Sequence, residues 1–125
     1  MCGYAGFYLN RKRTSQGEME KTITRMANSL EHRGPDDLGI WLDSNKPIAF
    51  GHRRLSIVDI SASGHQPMTS SNNKYVMAFN GEIYNHTQLR KELDLINSSL
   101  NWNGHSDTET LLAGFEVWGI KKTLG

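Results

Sequence analysis

Cys2 is the residue with the most evident chemistry, because it is the only cysteine among 125 residues and directly follows Met1. If Met1 is removed, Cys2 carries both a thiol and a free α-amine. An α-amine titrates near neutral pH, so part of it is neutral there and can act as a base. A terminal residue that supplies nucleophile and base together is a known catalytic arrangement. A lone cysteine with no chemical role is the alternative, and the rest of the chain must decide.

Three further groups have side chains suited to binding an amino acid or an oxyanion. Arg54, the second of two arginines before Leu55, offers a guanidinium fork that could bind a carboxylate ligand. The alternative is a surface arginine that pairs with a nearby Asp or Glu. Asn80-Gly81 is a strong hairpin-turn signal, but its side-chain amide and open backbone N–H are also the donors of an oxyanion hole. Glu82 and Asp107 are acids, and an acid in the first turn of a helix, as at Asp107, is favoured by the helix dipole alone.

The elements that must position these residues alternate between strands and helices. The pattern predicts strands over residues 3–9 and 74–79, a β-hairpin formed by residues 38–43 and the run that begins at Ile48, and helices over 16–31 and 85–96 and from Ser106 to Gly119. Ser15 with Glu18, and Ser106 with Glu109, have the spacing of capping boxes. The segment 61–73 is predicted to be a loop.

The composition is that of a globular domain and excludes several classes of function. The chain is 37% hydrophobic and 22% charged with a net charge of +1, which gives no electrostatic basis for binding nucleic acid or an anionic membrane. No apolar run approaches the length of a membrane span, and the start lacks the pattern of a signal peptide. The five histidines show no metal-ligand spacing, so no metal is expected. We therefore expect a cytoplasmic protein of one domain or part of one.

Six segments of the chain are informative in combination. They are Cys2-Gly3, His32-Arg33-Gly34-Pro35-Asp36, residues 52–59 (HRRLSIVD), Gly64-His65-Gln66-Pro67-Met68, residues 80–85 (NGEIYN) and Ser106-Asp107-Thr108-Glu109. Together and in this order they resemble the glutaminase domain of glutamine-hydrolysing asparagine synthetases. This domain belongs to the class II glutamine amidotransferases, which have the N-terminal-nucleophile hydrolase fold. The resemblance extends over residues 1–125.

The resemblance implies a role for each matching residue. Cys2 would attack the side-chain amide of L-glutamine, with its own α-amine relaying the proton. Asn80 and Gly81 would bind the tetrahedral oxyanion. The substrate α-carboxylate would be bound by Arg54, and the α-ammonium by Asp107 and Glu82. Backbone groups from Leu55 through Ile57 to Val58 would complete the pocket. The implied reaction passes through a γ-glutamyl thioester, releases ammonia and then yields glutamate.

The resemblance also implies an α+β fold, the α/β/β/α sandwich of N-terminal-nucleophile hydrolases, which is incomplete at its C-terminus in residues 1–125. The ATP-dependent synthetase domain that would use the ammonia, with ATP and Mg²⁺, is expected to be absent, so no cofactor is expected here. The expected partners are L-glutamine and a synthetase domain in cis or on a separate chain, and a homodimer is left open. Because strands would be missing, the chain alone is expected to be marginally folded with little turnover.

Three alternatives to this function remain open. The first is a non-catalytic glutamine-binding or assembly module that needs a partner chain. The second is an amidotransferase-like protein of surface-polysaccharide biosynthesis, because the sequence of residues 104–107 also resembles that group. The third is an N-terminal-nucleophile hydrolase acting on another amide, and the pairing of Arg54 with Asp107 disfavours it because both suit an amino-acid substrate.

Overall fold

The computed structural model describes residues 1–9, 14–56 and 61–125. Two compact units can be recognised in it. The first comprises Met1–Ile57 with the short segments His65–Pro67 and Ala78–Asn80, and the second comprises Val58–Gly64, Met68–Met77 and Gly81–Gly125.

The first unit contains a three-stranded antiparallel sheet. Its strands are β1 (Gly3–Tyr8), β2 (Asp37–Leu42) and β3 (Ile48–Arg54), and β3 lies in the middle. The expected hairpin is confirmed as β2 and β3, and its turn is closed by the Asp43 carboxylate, which accepts the N–H groups of Asn45 and Lys46 at 2.8 and 2.7 Å. The strand register places Gly3 opposite Arg53, and the residues around Cys2 and Arg54 consequently reach the same end of the sheet.

The helix α1 (Gln16–Asn28) covers this sheet with its apolar stripe. It begins with the predicted capping box, in which Ser15 accepts the Glu18 N–H and Glu18 accepts the Ser15 N–H. Met19 and Ile23 are almost fully buried and form the core with Ala49 of β3. The periodic spacing of these apolar residues explains the helix, because one face of it can then be removed from water.

α1 ends three residues earlier than the predicted boundary at Glu31. The N–H of Leu30 bonds to the Ala27 carbonyl at 2.9 Å, and that of Arg33 to the Leu30 carbonyl at 2.9 Å, which are the shorter i→i+3 bonds of a 3₁₀ helix. A 3₁₀ turn, Glu31–Arg33, therefore replaces the last predicted helical turn. Pro35 acts later in the chain, because proline disfavours the α conformation in the residue before it, and Gly34 is not in the α conformation.

The second unit contains a two-stranded antiparallel ribbon and three helices. The ribbon pairs β4 (Met68–Thr69) with β5 (Val76–Met77), and the helices are α2 (His86–Ile96), α3 (Asp107–Val117) and α4 (Ile120–Leu124). α2 and α3 pack against each other and agree with the predicted helices. α4, β4 and the 3₁₀ turn Ala62–Gly64 were not predicted, since each is too short to show a hydrophobic period.

The predicted strand over residues 74–79 is wrong in its length, because Val76 and Met77 are its only residues that pair with another strand in the described part of the chain. The backbone of Phe79 bonds to side chains instead, as described below. The mixture of helices with antiparallel strands confirms a mixed α and β fold. Within residues 1–9, 14–56 and 61–125, no helix is both long enough and apolar enough to cross a bilayer.

Candidate active site

Cys2 lies immediately before β1, and its thiol is bound by the main chain of Leu55. The Leu55 N–H donates to Sγ at 3.3 Å, and Sγ lies 3.7 Å from the Leu55 carbonyl oxygen, which accepts from the thiol. Cys2 is half-buried, whereas Met1 is 77% exposed. The β1–β3 pairing causes this contact between residues 53 positions apart, because it aligns the start of β1 with the end of β3.

Arg53 and Arg54 end β3 and are both 9% exposed. The Arg53 guanidinium donates to the Asn28 side chain and lies 4.0 Å from Glu31, so it is directed towards the C-terminal end of α1. Successive side chains of a strand point to opposite faces, which directs Arg54 to the other face of the sheet. Arg54 therefore shares the face of His52, two residues earlier, opposite to the face on which Arg53 contacts Asn28.

Residues of the His32–Asp36 motif contact the C-terminal end of β3 and the residues that follow it. The Asp36 carboxylate accepts the N–H of Ser56 at 2.7 Å and so holds the chain just beyond Leu55. Gly34 lies against the Arg53 backbone, where an added Cβ would come within 2.5 Å of the Arg53 carbonyl carbon. The motif thus positions the backbone that contacts the Cys2 thiol. Ile57 and Val58, the other two pocket residues predicted in this segment, lie outside the described residues.

Asn80 is exposed, and the backbone that leads into it is held by two buried side chains. The Phe79 N–H donates to Gln66 Oε1 at 2.6 Å, and the Phe79 carbonyl lies 3.2 Å from His52 Nε2. His52 is 1% exposed and Gln66 is 7% exposed. The hairpin turn, which was the alternative interpretation of Asn80-Gly81, is not formed, because the chain passes from this segment to α2 and not to a paired strand.

The environment of His52 favours the neutral imidazole. Burial lowers the pKa of His52, and the Phe79 carbonyl and the Asp37 carboxylate offset this effect only in part. A carbonyl partner requires Nε2 to carry the proton, which leaves Nδ1 as the unprotonated nitrogen. Among the described residues His52 Nδ1 has no hydrogen-bond partner.

In the second unit, Asp107 is hydrogen-bonded to the residue that follows Glu82. Asp107 is the first residue of α3, and its Oδ2 accepts the Ile83 N–H at 2.9 Å. Gly81 and Glu82 are exposed. The structure thus brings together Cys2 with Leu55 next to Arg54 in one unit, and residues 81–83 with Asp107 in the other.

The predicted second capping box is only half present. Ser106 caps α3 by accepting the Thr108 N–H at 3.1 Å. Glu109 instead accepts the N–H groups of Asn103 and Gly104 at 2.6 and 3.1 Å and pairs with Arg90 at 3.0 Å. The arginine of α2 competes for this carboxylate, which the capping-box spacing by itself does not reveal.

His52, Gln66 and Arg90 are the residues of structural importance that the sequence reasoning did not single out. His52 and Gln66 lie in segments recognised as motifs, which was the available signal for them. No local pattern marked Arg90, because it lies in α2 among polar residues that are exposed. In the described part of the chain, no group of three His, Cys, Asp or Glu side chains is arranged to hold a metal ion.

Comparison with known proteins places this chain in a family. The model of the glutamine amidotransferase domain matches residues 1–125. The chain is 39% identical over 115 residues to asparagine synthetase [glutamine-hydrolyzing] 1 of Bacillus subtilis, covering 92% of this chain and 17% of that protein. It is 37% identical over 119 residues to asparagine synthetase B [glutamine-hydrolyzing] of Escherichia coli, covering 95% of this chain and 20% of that protein.

A fungal relative has a different name, amidase chry2 of Gibberella zeae, which is 31% identical over 127 residues, covering 96% of this chain and 18% of that protein. The chain therefore spans about a fifth of the length of these relatives. Because the family model covers every residue, the chain belongs to the glutamine amidotransferase domain family.

Proposed function

We propose that this chain hydrolyses L-glutamine to glutamate and ammonia through a thioester on Cys2. The observation that carries the proposal is the placement of the Cys2 thiol on the Leu55 backbone, directly after Arg54. A nucleophile held on the backbone that directly follows an arginine suits a substrate that has an amide at one end and a carboxylate at the other. Membership of the glutamine amidotransferase family supports glutamine as that substrate.

The reaction begins when Met1 has been removed and the new α-amine accepts the thiol proton of Cys2. The sulfur attacks the side-chain amide carbon, and the carbonyl oxygen becomes an oxyanion that accepts hydrogen bonds from the Asn80 side chain and the Gly81 N–H. The intermediate collapses, the C–N bond breaks, and ammonia leaves with the proton from the amine. Water then cleaves the thioester, which releases glutamate and restores the thiol. Losing one oxyanion donor typically costs ~10²–10³ in rate.

Four groups would bind the substrate. Arg54 binds the α-carboxylate, and its burial strengthens this pairing because water screens the charge less. As the resemblance implies, Asp107 and Glu82 would bind the α-ammonium, and backbone groups of Leu55 and of residues 57 and 58 would contact the substrate. The proposed fold is the α/β/β/α sandwich of N-terminal-nucleophile hydrolases, which the mixed α and β composition supports at a coarser level.

The ammonia would be used by an ATP-dependent synthetase partner, in cis or on another chain. This proposal is supported by relatives about five times as long whose names are asparagine synthetases. ATP and Mg²⁺ would belong to that partner. A cytoplasmic location is proposed because the relatives are named for amino-acid synthesis.

The test combines intact mass with glutamate release from L-glutamine. Loss of Met1, turnover in the wild type, and its abolition in Cys2→Ala would support the proposal. Arg54→Lys should raise the KM for glutamine about tenfold or more, since a point charge replaces a bidentate fork. Arg53→Lys is the matched control, because α1 engages Arg53, and it should alter stability and leave the KM unchanged.

Two outcomes would contradict the proposal. Equal turnover by wild type and Cys2→Ala would exclude the thioester. Calorimetric binding of glutamine with Met1 removed and no glutamate release would favour the non-catalytic glutamine-binding module instead.

A further inference from the structure

Phe79 is anchored by side chains at a point where strand pairing has already ended. β5 ends at Met77, so the Phe79 N–H and carbonyl have no partner strand in the described part of the sheet. Gln66 and His52 accept and donate the two bonds that a strand would otherwise provide. Backbone groups that lose contact with water need such partners, and at Phe79 two side chains supply them.

The two bonds fix both peptide planes around Phe79. Its N–H belongs to the peptide that joins residues 78 and 79, and its carbonyl belongs to the peptide that joins Phe79 to Asn80. A peptide unit is planar, so holding the Phe79 carbonyl also sets the direction of the Asn80 N–H and the position of its Cα. The exposed Asn80 side chain therefore projects from a backbone whose orientation is set by two buried groups.

Both arms of this arrangement are attached to the sheet that carries Cys2. His52 is a residue of β3, flanked in register by Tyr4 and Gly39. The Gln66 carbonyl packs so closely on Gly39 that an added Cβ would lie 1.7 Å from its oxygen. The neighbouring His65 Nδ1 lies 2.6 Å from the Asp37 carboxylate, which ties the same segment to β2 a second time.

We propose that His52 and Gln66 are positioning residues that orient Asn80 by clamping the Phe79 backbone. The inference rests on the proposed function, in which the Asn80 amide stabilises an oxyanion. Neither side chain touches the substrate in this scheme. An oxyanion donor must lie within a few tenths of an ångström of its productive place, and a displacement of about 1 Å can cost ~10²-fold in rate. Disrupting the clamp should thus lower kcat, and leave the ground-state affinity for glutamine nearly unchanged.

Matched pairs of substitutions isolate the two hydrogen bonds. Gln66→Glu keeps an oxygen acceptor for the Phe79 N–H, and Gln66→Met has similar length without one. His52→Gln keeps an N–H donor for the Phe79 carbonyl, and His52→Met removes it. Gln88→Met, on the exposed face of α2, is the control for a glutamine replaced by methionine elsewhere.

The experiment measures kcat and KM for L-glutamine and product inhibition by L-glutamate, using the whole polypeptide that the gene encodes. For the two methionine variants we expect kcat to fall about 10–100-fold, with KM and the glutamate inhibition constant within about threefold of wild type. The Gln66→Glu and His52→Gln variants should recover kcat to within about fivefold, and Gln88→Met should match wild type. Equal kcat within each matched pair, or loss of affinity in place of kcat, would overturn the inference.

A second readout does not depend on activity. In ¹⁵N NMR spectra recorded well below the melting temperature, Gln66→Met should shift the signals of the Asn80 side-chain amide. It should also accelerate hydrogen exchange of the Phe79 N–H with solvent. Unchanged signals would refute the clamp even if the wild type hydrolyses no glutamine. Absence of wild-type turnover with the NMR changes present would instead refute the proposed function and leave the clamp standing.

Discussion

Replacing Arg90 by methionine should be among the most destabilising single changes in the second unit. The Arg90 side chain crosses from α2 to the chain that leads into α3. It donates four hydrogen bonds of 2.6–3.0 Å and lies 4.2 Å from the centre of an indole ring. Its partners are Trp102, Gly104, Ser106, Glu109 and Thr110.

The expected loss follows from the burial of the ion pair. The Arg90 and Glu109 side chains are only 13% and 14% exposed, so Arg90→Met leaves a carboxylate in poor contact with water. Removing one partner of a buried pair costs about 3–5 kcal/mol, and the partial exposure places this pair near the lower end, at ~3 kcal/mol. The N–H groups of Asn103 and Gly104 still bind the carboxylate, which limits the loss further.

Urea unfolding followed by far-ultraviolet circular dichroism measures this change. With a slope of ~2 kcal/mol per molar, the midpoint should fall by about 1.5 M. Arg90→Lys should lose about half as much free energy of unfolding, since one ammonium cannot reach all four acceptors. Lys91→Met, at an exposed position of the same helix, is the control and should change the free energy of unfolding by less than ~0.5 kcal/mol. A loss below ~1 kcal/mol for Arg90→Met would refute the reasoning.

Three further predictions concern the first unit. Gly39→Ala should destabilise it by about 3 kcal/mol in urea unfolding because a Cβ would strike the Gln66 backbone, whereas Gly17→Ala, with nothing within 4 Å, should stabilise α1 by ~0.5–1 kcal/mol. Burial lowers the pKa of His52, so the unfolded chain binds more protons and stability should fall as the pH drops from about 7 towards 5; thermal melts of His52→Gln should show a weaker fall, and an equal fall would contradict this. Ser15→Ala should cost ~1 kcal/mol in the same unfolding assay through loss of the α1 cap, and no change would show that the cap contributes nothing.

Much of the local structure could be predicted because it depends on short-range patterns. The apolar period of residues 19–27 and the Ser15 cap determine α1, and similar spacing determines α2 and α3. The end of α1, the short length of β5 and the bonds of Glu109 could not be predicted in this way. Each results from competition with a group distant in sequence, such as Arg90 for Glu109, which a local pattern does not contain.

The sequence by itself determined which side chains have the chemistry: a thiol at Cys2, a guanidinium at Arg54, an amide at Asn80 and a carboxylate at Asp107. It also indicated the family, which the match over residues 1–125 confirmed. Only the tertiary structure decided that the Cys2 thiol rests on the Leu55 backbone, and that buried side chains replace a strand at Phe79. The physical reason is that residue type is local, whereas these contacts join residues far apart in the chain, through strand register at Cys2 and through side-chain hydrogen bonds at Phe79.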